Sequence, residues 1–208
     1  MSDKIDERDD VLEPVSSTDR RVRADAQRNL DGLLRAAMAV FATSGVDAPV
    51  REIAKTAGVG VGTVYRHFPQ RSDLIKAVLR REIDACADAA SVLAGEHDPG
   101  EALARWMQRF VDFISAKRGL AAALHSGDPA YEALPAYFDK RLRPALESLL
   151  DAAAAAGEIR SGVEPNDLLH AVARLCTPAH NVGPDHARRM VALLIDGLRY
   201  GASVNDRK

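Results

Sequence analysis

Apolar side chains recur at intervals of three and four residues along most of this chain, which is the spacing of one face of an α-helix. Ala supplies 36 of the 208 residues, and aromatic residues make up only 5%. Ala is the strongest helix former, whereas sheets favour β-branched and aromatic residues. The pattern therefore predicts an all-α fold.

Gly and Pro residues divide the apolar pattern into about nine helices, with no persuasive strand. Three short helices come first, and longer ones follow. Pro135 and Pro144 lie within the seventh segment, where we expect them to mark its start and a kink. The predicted segments are 23–44, 50–57, 60–68, 72–93, 101–117, 120–125, 130–156, 165–176 and a last helix opened by Pro184.

The net charge of −2 conceals a segregation of charge along the chain. Residues 1–19 hold seven acidic and two basic residues, whereas residues 20–72 hold nine basic and four acidic residues. A compact cationic segment on a neutral body is typical of a module that binds phosphate. The polar composition of the first residues predicts a disordered tail over 1–22.

Several classes of protein are excluded by what the sequence lacks. No stretch approaches 18 consecutive apolar residues, and the acidic N-terminus does not have the composition of a secretory signal. We therefore expect a cytoplasmic protein without a membrane partner. Cys86 and Cys176 stand alone, without a nearby Cys or His at ligand spacing. Buried thiols are expected rather than a metal site, and no cofactor is predicted.

Residues 50–73 carry the most informative pattern, because two short helices flank the turn Gly58-Val59-Gly60. A helix-turn-helix needs a glycine free to adopt positive φ, and a small residue where the helices touch, here Ala54. The second helix then presents one face outward, while Val64 and Phe68 turn inward. The spacing predicts a helix-turn-helix.

About 50 residues, from Arg23 to Ile75, resemble the DNA-binding domain of the TetR family of transcriptional regulators. The family pattern REIA..AGVS.GT.Y.HF..K..L is matched over most of its positions. Two positions differ: Gly60 replaces the usual Ser and removes a side-chain helix cap, and Arg71 replaces a Lys. The resemblance implies a DNA-binding domain over 23–72 and a helical effector-binding and dimerisation domain over 73–208.

The resemblance also implies individual DNA contacts. The start of the recognition helix would face base edges in the major groove, while Tyr65 and His67 would bind phosphate oxygens. Without the resemblance, the alternative interpretation of His67 and Arg66 is that both are ordinary solvated side chains. Arg20, Arg21 and Arg23 are candidates for a flanking minor groove. The predicted DNA-binding residues are Arg51, Lys55, Val61, Gly62, Thr63, Tyr65, Arg66, His67 and Arg71.

Most aromatic residues of the chain lie between 101 and 151, the region that in this family encloses a small-molecule pocket. Aromatic residues at helical spacing are also the pattern of a simple core. His125, His170 and His180 with Cys176 could serve as polar handles, although buried and satisfied histidines are the commoner case. The predicted ligand-binding residues are Trp106, Met107, Phe110, Phe113, His125, Tyr137, Phe138 and Cys176.

The last two helices carry apolar stripes that resemble the four-helix dimer bundle of the family, although part of each stripe must face the subunit's own core. We therefore predict a homodimeric repressor that a small-molecule effector releases from a palindromic operator. An enzyme is not predicted, because GxSxG, P-loop, GxGxxG and HExxH motifs are all absent. The alternative is a protein-interaction module that has kept the helix-turn-helix without binding an operator.

Overall fold

The protein is described by a computed structural model that covers residues 17–124, 126–176 and 185–205. Over these residues the fold is all-α, as the sequence predicts. Two 3₁₀ turns, Lys117–Leu120 and Pro129–Tyr131, separate the shorter elements. The helices are α1 Ser17–Ser44, α2 Val50–Ala57, α3 Val61–His67, α4 Arg71–Glu96, α5 Pro99–Ala116, α6 Ala121–Leu124, α7 Leu134–Ala155, α8 Pro165–Leu175 and α9 His186–Asn205.

Helix α1 begins at Ser17, six residues before the predicted start at Arg23. The prediction of a disordered tail over 1–22 is therefore wrong for residues 17–22, and residues 1–16 lie outside the described part of the chain. Arg20 and Arg21 have a high intrinsic helix propensity, which favours this extension of the helix. The side chains of residues 17–24, including the arginines predicted at a minor groove, also lie outside the description.

The seventh segment is shorter than predicted, because α7 begins at Leu134 rather than at residue 130. The preceding residues form the turn Pro129–Tyr131, which Asp128 caps by accepting a hydrogen bond from the backbone N–H of Ala130 at 2.8 Å. Pro135 lies in the first turn of α7, where a missing N–H costs nothing. Pro144 lies inside the helix, which continues past it to Ala155.

The described residues pack into two hydrophobic clusters, and α4 belongs to both. The N-terminal cluster joins α1, α2 and α3 to the first half of α4, from Leu74 to Leu79. The C-terminal cluster joins the second half of α4, from Ile83 to Ala90, to α5, α7, α8 and α9. Helix α4 therefore connects the two parts of the molecule mechanically.

The N-terminal cluster also includes residues from beyond α5. Leu120, in the 3₁₀ turn, is 0% exposed, and Leu134 at the start of α7 is 6% exposed. The segment between α5 and α7 is thereby packed into the core of the N-terminal part. No helix among the described residues is both long and apolar enough to cross a membrane.

Candidate nucleic-acid interface and ligand-binding core

The turn between α2 and α3 has the geometry that the sequence predicts. Gly58 adopts φ 69°, a left-handed conformation that favours glycine. Its N–H donates to the Lys55 carbonyl at 3.2 Å, and the N–H of Val59 donates to the Ala54 carbonyl at 3.0 Å. This double closure satisfies the last carbonyls of α2 and directs the chain into α3.

Helix α3 separates its side chains into a buried and an exposed face. Val64 is 1% exposed and packs in the N-terminal cluster, which fixes the rotation of the helix. Val61 is 40% exposed and Tyr65 is 52% exposed, and these two residues, one turn apart, lie on the same side of the helix. Gly62 is exposed beside them, and Thr63 is half-buried. Val61 and Gly62, predicted to face the bases, and Tyr65, predicted to bind phosphate, are therefore open to solvent on one helix.

Four further predicted DNA-contacting side chains are exposed on α2 and α3. Arg51 and Lys55 are exposed on α2, and Arg66 and His67 are exposed in the last turn of α3. None of these four side chains takes part in an ion pair within the described residues. Cations without an internal partner are available to phosphate groups.

Arg71 is placed differently from the other predicted contacts. Its guanidinium is half-buried and donates from one terminal nitrogen to the Val46 carbonyl and from the other to the Ala48 carbonyl, the latter at 2.6 Å. Both carbonyls lie in the loop between α1 and α2. The structure therefore gives this arginine an internal partner, and the predicted contact with the DNA backbone is not what orients it.

Gly60 precedes α3 with φ −70° and ψ 145°, and no side chain caps the helix. Its carbonyl accepts from the Thr63 N–H at 2.9 Å, so the first turn forms without a cap. A Cβ atom at this position would lie 3.9 Å from Thr63 Oγ1, which is an ordinary contact. As the sequence predicts, α3 lacks a side-chain cap. A serine at position 60 would fit without a steric clash.

Comparison with known proteins matches both parts of the chain to families of transcriptional regulators. The family model of bacterial regulatory proteins of the tetR family matches residues 33–78. The family model of the C-terminal domain of SbtR-like transcriptional regulators matches residues 98–200. The HTH-type transcriptional regulator SAUSA300_2515 of Staphylococcus aureus is 39% identical over 64 residues, which cover 30% of this chain and only 35% of that protein.

Two crystal structures extend the similarity over most of the chain. The TetR transcriptional regulator SCO0520 from Streptomyces coelicolor is 41% identical with a TM-score of 0.70, over 81% of this chain and 97% of that one. The TetR transcription regulatory protein from Mycobacterium vanbaalenii is 36% identical with a TM-score of 0.66, over 86% and 99%. The chain belongs to the TetR family of transcriptional regulators. It is therefore a DNA-binding transcription factor and not an enzyme.

The aromatic residues predicted to bind a ligand form the centre of the C-terminal cluster of this TetR-family regulator. Trp106, Met107 and Phe110 are each 0% exposed, and Phe113 is 7% exposed. The rings of Trp106 and Phe110 stack with centroids 5.6 Å apart, and the Trp106 indole N–H donates to the Cys86 carbonyl at 2.9 Å. In this structure these side chains provide packing, which was the alternative interpretation of the sequence.

Tyr137 and Phe138 lie at the edge of that core and are half-buried. Cys176 is buried at the end of α8. His125 and His180 fall outside the described residues, and His170 is exposed on α8. An open groove of about 480 Å³ lies elsewhere, between α5 and α9, and none of the predicted ligand-binding residues lines it.

Lys117 is a polar residue in this core that the sequence analysis missed. Its ammonium lies 5.3 Å from the centroid of the Phe113 ring and 5.2 Å from that of Phe138. Burial lowers the pKa of Lys117 below its usual value, and the charge of Cys176 acts in the opposite direction. The only signal in the sequence is its position four residues after Phe113, which places the two on one helical face.

Proposed function

We propose that this TetR-family regulator binds a palindromic operator as a homodimer and represses transcription until a small molecule releases it. The proposal rests on one observation above all: Val61, Gly62 and Tyr65 are exposed together on a helix that Val64 anchors into the core. Val61 and Tyr65 are among the few large hydrophobic side chains exposed in the described part of the chain, and together they occupy the face that a duplex would cover.

Gly62 strengthens this interpretation. A Cβ atom built at Gly62 would meet nothing within 4 Å, so the fold does not require glycine at this position. Glycine in a helix is about 1 kcal/mol less favourable than alanine. A residue that weakens the helix without relieving a contact inside the protein is consistent with the close approach of another molecule. In our proposal the other molecule is DNA, whose base edges in the major groove come near the helix backbone.

The proposed dimer uses the outer faces of α8 and α9. Leu193 is 63% exposed and Tyr200 is 76% exposed, and both lie on one side of α9. Gly197 is exposed between them, and a Cβ atom there would meet nothing within 4 Å, so a second helix can approach closely. A symmetric pair of such faces would place two recognition helices on one side of the DNA, about 34–36 Å apart.

In the proposed release step, a ligand in the C-terminal domain binds one arrangement of α4 better than the other. Because α4 contributes to both hydrophobic clusters, a change in its position moves α3 in each subunit. The spacing of the two recognition helices then no longer matches the operator. The loss of operator affinity equals the ratio of the ligand's affinities for the two arrangements.

The central experiment is a mobility shift with DNA from upstream of the protein's own coding region, repeated over a series of salt concentrations. Operator affinity should fall steeply with salt, because phosphate contacts release counterions. Lys55→Ala should reduce the slope of log K against log salt by about 1 per subunit. Lys140→Ala is the matched control, since Lys140 is an exposed lysine on α7 far along the chain from the helix-turn-helix.

The oligomeric state is tested separately by sedimentation of the wild type and of Leu193→Asp. We expect a dimer that dissociates when the charge is introduced, with a parallel loss of operator binding. A protein that stays monomeric at all concentrations would contradict the proposed dimer. A dimer that shifts no DNA at low salt would instead favour the alternative, a protein-interaction module.

A further inference from the structure

The ammonium of Lys117 lies beside two aromatic rings at the point where α5 ends. The 3₁₀ turn begins at this residue, and its nitrogen lies 5.3 Å from the centroid of the Phe113 ring and 5.2 Å from that of Phe138. The two rings are themselves stacked, with centroids 6.1 Å apart. The lysine thus closes one end of the aromatic cluster that continues through Phe110 to Trp106.

No carboxylate neutralises this cation within the part of the chain that the structure describes. The ion pairs in that part use other lysine and arginine side chains, and Lys117 occurs in none of them. Burial lowers the pKa of Lys117, and the charge of Cys176 acts in the opposite direction. Buried cations are normally paired with an anion, and contact with ring faces compensates the loss of water only in part.

We propose that Lys117 binds the acidic group of an anionic, largely apolar effector, whose body lies against the rings of Phe113 and Phe138. This inference deepens the proposed function, on which it rests, by naming the chemical class of the effector. The acidic group would supply the missing counter-charge, and the rings would supply apolar contact. Phe138 and Lys117 are both half-buried rather than fully enclosed, so a ligand can reach the ammonium from solvent.

The position of Lys117 also connects the site to the DNA-binding part of the molecule. Leu120 ends the same 3₁₀ turn and is completely buried in the N-terminal cluster with Phe41 of α1. One turn of chain therefore separates the cation of the ligand site from the core that holds the helix-turn-helix. A ligand that draws Lys117 toward its acidic group shifts a turn to which α1 is packed, which biases the two arrangements of the regulator.

The test uses two dyes with the same ring system, one anionic and one neutral. They are 8-anilino-1-naphthalenesulfonate and N-phenyl-1-naphthylamine, titrated by fluorescence into the full-length chain. The variants are Lys117→Met, which removes the charge, Lys117→Arg, which keeps it, and Lys140→Met, which removes an exposed lysine of α7. Lys117→Gln replaces the methionine variant if the latter does not fold.

We expect the anionic dye to bind the Met variant about tenfold or more weakly than the wild type, as for one lost charged hydrogen bond. The Arg variant and the Lys140→Met control should retain its affinity, and the neutral dye should bind all four proteins within about twofold. Equal affinity of the anionic dye for wild type and Lys117→Met, or no saturable binding to the wild type, would overturn the proposal. A parallel mobility shift separates this outcome from failure of operator binding, which would leave the dye result standing.

Discussion

The Nε of Arg141 on α7 donates a hydrogen bond to Asp84 Oδ1 on α4 at 2.6 Å. The same carboxylate accepts from the hydroxyl of Tyr137, which lies 2.8 Å from each of its oxygens. A terminal nitrogen of Arg141 reaches Asp88 Oδ1, one turn further along α4, at 2.7 Å. Burial, followed by the hydrogen bond to Asp84, raises the pKa of Tyr137. The network therefore fixes α7 against the helix that both hydrophobic clusters share.

Removing this network should lower the free energy of unfolding more than removing an exposed ion pair with a similar distance between nitrogen and oxygen. Arg141→Met should lower the free energy of unfolding by about 1 kcal/mol, the upper part of the range for half-exposed pairs, because two carboxylates lose a partner. Arg105→Met is the control, since Arg105 pairs with Glu101 at 2.7 Å within α5 and both are exposed. That change should cost about 0.3–0.5 kcal/mol.

Both variants are compared by urea denaturation, with Tyr137→Phe added to form a double-mutant cycle with Arg141→Met. Because the two side chains share the carboxylate of Asp84, their effects should not be additive. Additive effects, or an equal cost for Arg105→Met, would show that the network does not act as a unit.

Gly62→Ala should make the protein more stable and a weaker DNA binder at the same time. The helix gains up to about 1 kcal/mol from replacing a glycine, and the added methyl group meets no atom within 4 Å. On DNA the same methyl group occupies space between α3 and the base edges. Thermal unfolding should therefore show a raised Tm, and a mobility shift should show reduced operator affinity.

Gly95→Ala provides the control for this separation of effects. Gly95 is exposed near the end of α4, and a Cβ atom there also meets nothing within 4 Å. The control should leave operator affinity unchanged. If Gly62→Ala binds the operator as tightly as the wild type, the close approach of α3 to DNA is wrong.

Arg71→Met should act on stability rather than on phosphate binding. The guanidinium of Arg71 donates to the carbonyls of Val46 and Ala48 in the loop between α1 and α2. Losing hydrogen bonds from a charged donor costs about 1.5–3 kcal/mol of stability. Because Arg71 is only half-buried, we expect a cost at the lower end of that range. The slope of operator affinity against salt should stay that of the wild type, measured at a temperature where both proteins are folded. A slope of log K against log salt that is reduced by about 1 per subunit would instead support a contact between Arg71 and a DNA phosphate.

The helix-turn-helix could be predicted from the sequence because its determinants are local. Gly58 must adopt positive φ, and Val64 must face inward for the helix to pack, and both requirements concern residues a few positions apart. The order of the helices in the described part of the chain follows from breakers and apolar spacing in the same way. The start of α1 at Ser17 is not apparent from composition, because the segment is polar, although Arg20 and Arg21 have a high helix propensity.

The C-terminal part depends on contacts between distant residues, which spacing alone does not reveal. Trp106 and Phe110 lie on one apolar face of a helix, but their spacing does not distinguish residues that line a cavity from residues that pack in a core. Lys117 becomes notable only when α7 brings Phe138 beside it. The partners of Arg71 lie 25 and 23 residues earlier in the chain, so its role inside the protein was equally hidden.

Cys86 should make the regulator sensitive to alkaline pH. Burial raises the pKa of its thiol from 9.0 to about 12. In the unfolded chain the thiol ionises near pH 9, whereas in the folded protein it stays protonated, so the folded state binds more protons in this range. Stability contributed by the protonated thiol is therefore complete below pH 9 and is lost as pH rises toward 12. Between pH 8 and pH 10 this loss amounts to about 1.4 kcal/mol.

The measurement is the free energy of unfolding at pH 8 and pH 10 for the wild type and for Cys86→Ala. The variant is less stable at pH 8, because it loses buried volume, but its decline with pH should be smaller by about 1.4 kcal/mol. The other groups with shifted pKa values in the described part of the chain, Lys117, Tyr131, Tyr137 and Arg141, are common to both proteins and cancel in the difference. The Trp106 indole keeps its acceptor in the variant, since it bonds to the backbone carbonyl of residue 86. Equal declines in the two proteins would mean that the Cys86 thiol ionises as readily in the fold as in the unfolded chain.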